Sequence, residues 1–188
     1  MRAAVAAGVT LIGENYVQEA EGKKGTIREP VEWHMIGHLQ RNKVKIAAQL
    51  FDAIETLDSI ALAQELAKEG QRTSKIIRTL VEVNLSGEKS KTGITEERVP
   101  ALLEAVGELT HLTVEGFMTV PPLKENPEET RPYFRALREL LLRHRKRRIA
   151  NVDLRELSMG MTHDYQVAIE EGATIVRIGT ALFGARKD

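Results

Sequence analysis

Strand-like and helix-like stretches alternate along this sequence from end to end, and that alternation constrains the fold more than any other feature. Short β-branched, apolar runs occupy residues 9–13, 33–37, 53–57, 75–84, 112–120, 155–158 and 173–179. Helical patterns follow them. "LQRNKVKIAAQL" comes after the second run and "SIALAQELAKEG" after the third, with Gly70 as its expected C′ residue. "TEERVPALLEAVGEL" opens on Thr95 as N-cap with acidic residues in its first turn. "NPEETRPYFRALRELLLRH" opens on Asn126 as cap, with Pro127 at the first helical position and Glu129 three residues after the cap. "THDYQVAIEEG" supplies one more helix from 162 to 172. Such strict alternation predicts a parallel sheet with helical crossovers.

Two architectures satisfy this pattern: an open doubly wound sheet and a closed (β/α)8 barrel. Several predicted strands end in polar or glycine-rich residues, as in "GEN", "GHLQRN", "VNLSGEKSKTG", "SMGMT" and "RIGT". Chemistry at many C-terminal strand ends suits a barrel mouth, whereas an open sheet concentrates it at one switch point. The expected fold class is therefore α/β, a TIM-barrel type. With 188 residues, the chain predicts one domain, spanning 1–188, with enough length to bury a core. A full barrel has eight strands, and only seven runs are found here. The opening "MRAAVAAG" reads as the tail of a helix ended by Gly8, so one βα unit is expected to be missing ahead of it.

Composition removes several classes of function. There is no cysteine, which excludes disulfides, thiolate nucleophiles and sulfur-ligated metals, and fits a reducing cytoplasm. Lys+Arg and Asp+Glu are both 27, so net charge gives no support for nucleic-acid binding. No secretory leader and no membrane-length apolar run is visible. The histidines at 34, 38, 111, 144 and 163 form no HExxH or paired ligand set, so no metal site is expected. No GxSxG is present. His38, at a strand end, reads as a polar group on the rim. The run "RHRKRR" (143–148) reads as cations favoured at a helix C-terminus, without interleaved aromatics that would suggest RNA.

The segment "LSMGMTHDYQVAIEEGATIVRIGTALFG" carries the candidate site. Barrels often bind phosphate in the loops after their last two strands. Gly160 and Gly179 would let backbone N–H groups approach an anion, and Ser158 and Thr180 could add hydroxyl donors. Ordinary strand-end turns account for the same residues equally well from the sequence alone. Arg177 lies inside the last apolar run and shares a face with Ile175 and Gly179 by period-two counting. Buried arginine needs a partner, and an ion pair within the barrel is one answer.

The motifs "GENYVQEA", "WHMIGHLQRNKVK", "VNLSGEKSKTGI", "GFMTVPP" and "LSMGMTHDYQVAIEEGATIVRIGTALFGAR" together resemble the pyridoxal-phosphate (PLP) homeostasis family, which is related to the alanine racemase N-terminal barrel. The resemblance covers essentially the whole chain in order. It implies a PLP fold type III barrel that holds pyridoxal 5′-phosphate at its C-terminal mouth and acts in the cytoplasm as a carrier without turnover. It implies that Ser158, Gly160, Gly179 and Thr180 form a phosphate cup and that the Arg177 guanidinium faces the pyridine nitrogen. It places Asn15 near the cofactor's phenolic oxygen, with a helix cap as its other reading, and Met118 beside the ring, with plain core as its other reading. The family's cofactor lysine lies on a first strand that this sequence lacks, so covalent attachment at the usual position is not expected. Lys91 reads as a solvated loop lysine, or as one that contacts the cofactor. A PLP-dependent racemase-like enzyme and a cofactor-free interaction scaffold are the rival readings. Family members are usually monomeric; open barrel edges here predict dimers or aggregation.

Overall fold

The computed structural model describes residues 1–88 and 91–184. Its elements are α1 (Arg2–Ala6), β1 (Leu11–Glu14), α2 (Val17–Lys24), β2 (Glu32–Met35), α3 (Val44–Leu50), β3 (Ala53–Leu57), α4 (Ile60–Thr73), β4 (Ile77–Glu82), α5 (Val99–Gly107), β5 (Leu112–Met118), α6 (Arg131–Arg145), β6 (Val152–Met161), α7 (Tyr165–Glu170), β7 (Ile175–Arg177) and α8 (Thr180–Phe183). All seven strands form one sheet in chain order, and every ladder is parallel. Stepping one place at each crossover turns the sheet round on itself. The interior shows this directly, because side chains meet between strands that are not neighbours. Ser158 of β6 donates to Glu55 of β3 at 2.5 Å, and Arg78 of β4 donates to Glu32 of β2 at 3.0 Å. The architecture is an α/β barrel of parallel strands, with β1 and β7 as the edges of the sheet.

The two faces of the sheet differ in chemistry. Outward strand residues such as Trp33, Ile54, Val81, Phe117 and Met159 pack with helix residues such as Leu66, Leu103, Phe134 and Leu137 in one apolar layer. Burying each such side chain is worth about 1.5–3 kcal/mol. Ala53, Leu80 and Met118 are equally buried but lie outside that layer, on the inner face with the charged groups. No helix among the described residues is long and apolar enough to cross a membrane.

All seven expected strands are present, six of them with shifted ends and β3 at its expected limits. The sixth runs Val152–Met161, well past the expected 155–158. Its first half alternates solvent-facing Asp153 and Arg155 with Leu154, so the apolar signal is thin there. The seventh shrinks from 173–179 to Ile175–Arg177, since as an edge strand it has a ladder only with β6. Gly8 ends α1 as expected, with φ of 101°. Asn126 caps, its side chain accepting from Glu128 N at 3.1 Å, but what it caps is a 3-10 turn, Pro127–Thr130; α6 itself begins only at Arg131 with Thr130 as its N-cap. Thr95 precedes a single 3-10 turn, Glu96–Arg98, and its hydroxyl makes no cap bond; the α-helix begins only at Val99.

Gly70 is a correction. It does not end α4, which continues to Thr73 and stops at Ser74 in the left-handed region, φ 52°. Gly70 lies within the helix because a Cβ there would meet His111 O at 2.6 Å and Lys75 O at 2.8 Å. Two backbone carbonyls cannot swing away as a side chain can. We therefore expect Gly70→Ala to lower unfolding free energy by about 1–3 kcal/mol, although alanine is the better helix former by about 1 kcal/mol. Urea denaturation of the two proteins measures this; a stabilised variant would refute it.

Candidate functional site

A chain of polar side chains runs up the inside of the barrel. At its centre is Glu55, fully buried in "AIETL" of β3. One carboxylate oxygen meets His34 Nδ1 of β2 at 2.7 Å, and the other accepts from Ser158 Oγ at 2.5 Å. Ser158 Oγ in turn accepts from Arg177 at 2.7 Å, and a second guanidinium nitrogen donates to Thr119 O at 2.8 Å. Below, His34 Nε2 lies 3.3 Å from Glu32, which binds Arg78. Burial alone would lower the His34 pKa, but hydrogen bonds and charge from Glu55 and then Glu32 outweigh it and raise the value above 6.5. Burial also pulls the Arg177 guanidinium below its ordinary value, with Glu55, Glu82 and Asp164 opposing.

The turns after β6 and β7 stand side by side above this chain. Gly160 is in the left-handed region, φ 89°, and a Cβ there would meet Ala168 Cβ of α7 at 2.5 Å. Met161 N donates to Asp164 Oδ1 at 2.7 Å, which fixes the turn. Ala181 N then donates to Thr162 Oγ1 at 3.3 Å and ties the second turn to the first. At Gly179 an added Cβ would meet nothing within 4 Å. Gly179 and Thr180 are exposed, so this side of the mouth is open to an incoming group.

The structure thus brings Ser158, Gly160, Arg177, Gly179 and Thr180 into one region. Ser158 sits lower than a cup donor would, wholly buried between Glu55 and Arg177. Arg177 is joined to Glu55 through the Ser158 hydroxyl rather than by a direct ion pair. Met118 is buried on the inner face, in register with Ser158. Asn15 follows β1, is exposed, and is not the cap of α2, whose N-cap is Tyr16. Its carbonyl lies so near Gly37 that a Cβ on Gly37 would come within 2.3 Å. Lys91 donates to Val120 O at 3.3 Å on the same face, across the loops after β4 and β5. His38 is half exposed on the rim, 3.5 Å from Asp58.

Sequence reasoning missed Glu55, His34, Thr119 and Glu82. Period-two counting back from the end of β4 places Arg78, Leu80 and Glu82 on one face, and that signal could have found Glu82. A cavity of about 550 Å³ opens at the opposite end of the barrel, beside Glu32, Arg78 and Glu115. Its carboxylates have partners within the protein: Arg78 at 3.0 Å and Arg155 at 3.1 Å hold Glu115, Arg78 holds Glu32, and Asp52 accepts from Trp33 N at 2.8 Å. The mouth, not this cavity, gathers the candidate binding groups.

Comparison with known proteins agrees with this fold. The family model of the alanine racemase N-terminal domain matches residues 1–187. A pyridoxal phosphate homeostasis protein of Aquifex aeolicus is 49% identical over 181 residues, covering 96% of this chain and 78% of the relative. One from Pseudomonas aeruginosa is 43% identical over 187 residues, covering 99% and 79%. PipY of Synechococcus elongatus, solved with PLP bound, superposes with a TM-score of 0.89 at 34% identity, covering 97% of this chain and 85% of PipY. Its PLP-free structure gives 0.91 at 34% identity, covering 97% and 86%. Alanine racemase of Clostridium difficile, at 11% identity and a TM-score of 0.78 over 97% of this chain and 49% of its own, shares the barrel fold. Fold and site together define a barrel of the alanine racemase N-terminal type. The chain belongs to the pyridoxal phosphate homeostasis protein family.

Proposed function

We propose that this chain is a non-catalytic, cytoplasmic carrier of pyridoxal 5′-phosphate that serves intracellular PLP homeostasis. The observation that carries the reading is the Arg177 guanidinium, held inside the ring of strands by Ser158 and Thr119 directly beneath two adjoining turns. The residues present fit the group. Gly179 leaves open space, Gly160 takes a conformation glycine favours, and a fixed cation lies within the barrel. Gly160, Gly179 and Thr180 hold the phosphate from the turns, while Ser158, whose hydroxyl donates to Glu55, holds Arg177 beneath them. Arg177 faces the ring nitrogen, with Met118 and Asn15 beside the ring.

When bound, PLP supplies an aldehyde that reacts with amines and a ring that withdraws electrons. Arg177 keeps its proton, so it disfavours protonation of the ring nitrogen next to it. That weakens electron withdrawal and suits storage over carbanion chemistry. The test is a PLP titration followed by borohydride reduction, lysine mapping and an amino-acid racemisation assay. Saturable PLP binding without turnover is expected. Amino-acid turnover would overturn the non-catalytic part, and failure to bind PLP would overturn the whole.

A further inference from the structure

One hydrogen-bonded relay joins the two ends of the barrel, and its polarity is fixed from the mouth. Arginine can only donate. Ser158 Oγ therefore accepts from Arg177 at 2.7 Å and sends its own proton to Glu55 Oε2 at 2.5 Å. The other Glu55 oxygen meets His34 Nδ1 at 2.7 Å, and the proton between them belongs to the imidazole, the stronger base. His34 Nε2 faces Glu32 at 3.3 Å. Both ring nitrogens thus point at carboxylates. Only the imidazolium, which donates from both, satisfies the two at once. Losing a proton turns one nitrogen lone pair toward a carboxylate oxygen.

The relay ends where protons can enter. His34 lines the cavity at the far end of the barrel. The charged groups facing it there are Glu32 of β2, Asp52 ahead of β3, Arg78 of β4, Glu115 of β5 and Glu156 of β6, and within the barrel it faces Glu55 of β3. A hydrogen bond from Arg78 holds the Glu32 carboxyl below its usual range, so it stays charged beside His34. At the other end, Arg177 faces Glu55, Glu82 and Asp164. With His34 protonated, His34, Glu55 and Arg177 sum to one positive charge. With His34 neutral they sum to zero, and an anionic cofactor above Arg177 meets a weaker field.

We propose that His34 and Glu55 are positioning residues that act through Ser158 on Arg177, so that a proton held at the far end of the barrel strengthens PLP binding at the mouth and its loss weakens it. The inference rests on the cofactor reading above. Burial favours the neutral ring, but Glu55 and then Glu32 outweigh it, so His34 gives up its proton only above the ordinary 6.5. By linkage, bound PLP makes His34 hold that proton more tightly in return.

PLP titrations across this pH range, with thermal melts alongside, compare wild type with His34→Gln and Glu55→Gln. In His34→Gln the side chain is neutral at every pH. Wild type is expected to bind PLP about three- to tenfold more tightly than this variant below pH 6.5, the scale of one charge acting through a protein interior, and about equally above the raised folded value. Glu55→Gln keeps the hydrogen bonds, its carbonyl accepting from Ser158 and its amide donating to neutral His34, but removes the negative charge. It is expected to match wild type below pH 6.5 and to bind more tightly by the same factor above the raised value. Comparing proteins at one pH cancels the titration of PLP itself and of Glu82. Ratios that do not change with pH, the mark of a merely structural role, overturn the inference and leave the cofactor site standing. If neither variant folds, NMR of the wild-type His34 ring decides: PLP is expected to raise its titration midpoint, and an unmoved midpoint overturns the inference. Failure of wild type to bind PLP at any pH overturns the cofactor reading itself, and this inference with it.

Discussion

Replacing Gly179 with aspartate is expected to weaken PLP binding by about 100-fold or more while leaving the fold intact. Gly179 is exposed, and its Cβ would meet nothing within 4 Å. Its φ of −110° is open to any residue, so no backbone strain enters. An exposed substitution of this kind changes stability by about 0.5 kcal/mol or less. The carboxylate it adds would stand where the proposed phosphate sits. Like charges at such range cost several kcal/mol, and each factor of ten in affinity is about 1.4 kcal/mol. Equilibrium titration with PLP, alongside a thermal melt, checks both halves. Unchanged affinity with an unchanged melt would remove the turns at 160 and 179 from the site.

Glu55→Ala should have the largest effect on stability, lowering unfolding free energy by about 3–5 kcal/mol. The carboxylate is wholly buried and joins His34 to Ser158. Without it, a histidine and a serine hydroxyl lose partners that water cannot replace, and Arg177 loses the anion beyond Ser158. The same pair gives a pH dependence of defined sign. His34 has a folded-state pKa above the ordinary 6.5, because Glu55 and Glu32 outweigh the opposing burial. Its contribution is complete below about 6.5 and is lost as pH rises through the higher folded value. Wild-type stability should therefore decline from about pH 6.5 up to that folded value by up to about 1.4 kcal/mol per pH unit and level off beyond it, and the Glu55→Ala profile should be flatter in that window. Urea unfolding across that range decides it; parallel profiles would show that the His34–Glu55 pair is not the origin.

Much of the barrel was legible because its outer face is apolar and periodic. "AIETL" and "LTVEGFM" announce strands, and β3 matches its expected limits of 53–57. The glycine and hydroxyl residues of "SMGMT" and "RIGT" announced the mouth, since those residue types have a local conformational reason to be there. The inner wall was harder to read. Glu55 and Ser158 are 103 positions apart, and neither residue signals the other. A lone glutamate inside a strand motif looks like a solvent-facing residue until the closure of the sheet puts it opposite a serine. Gly70 was misread for a related reason: glycine near a helix end suggests a stop, while the actual cause is the His111 carbonyl passing close by, 41 positions away by subtraction of the residue numbers.

The contact between Gly160 and Ala168 has a consequence for how such a site can change. The turn proposed to face the phosphate is shaped from behind by a helix, not by the exposed loop residues themselves. Tuning affinity thus belongs to residues that never see the ligand: a bulkier neighbour at 168 would reshape the nest through the backbone, while the visible rim stayed the same.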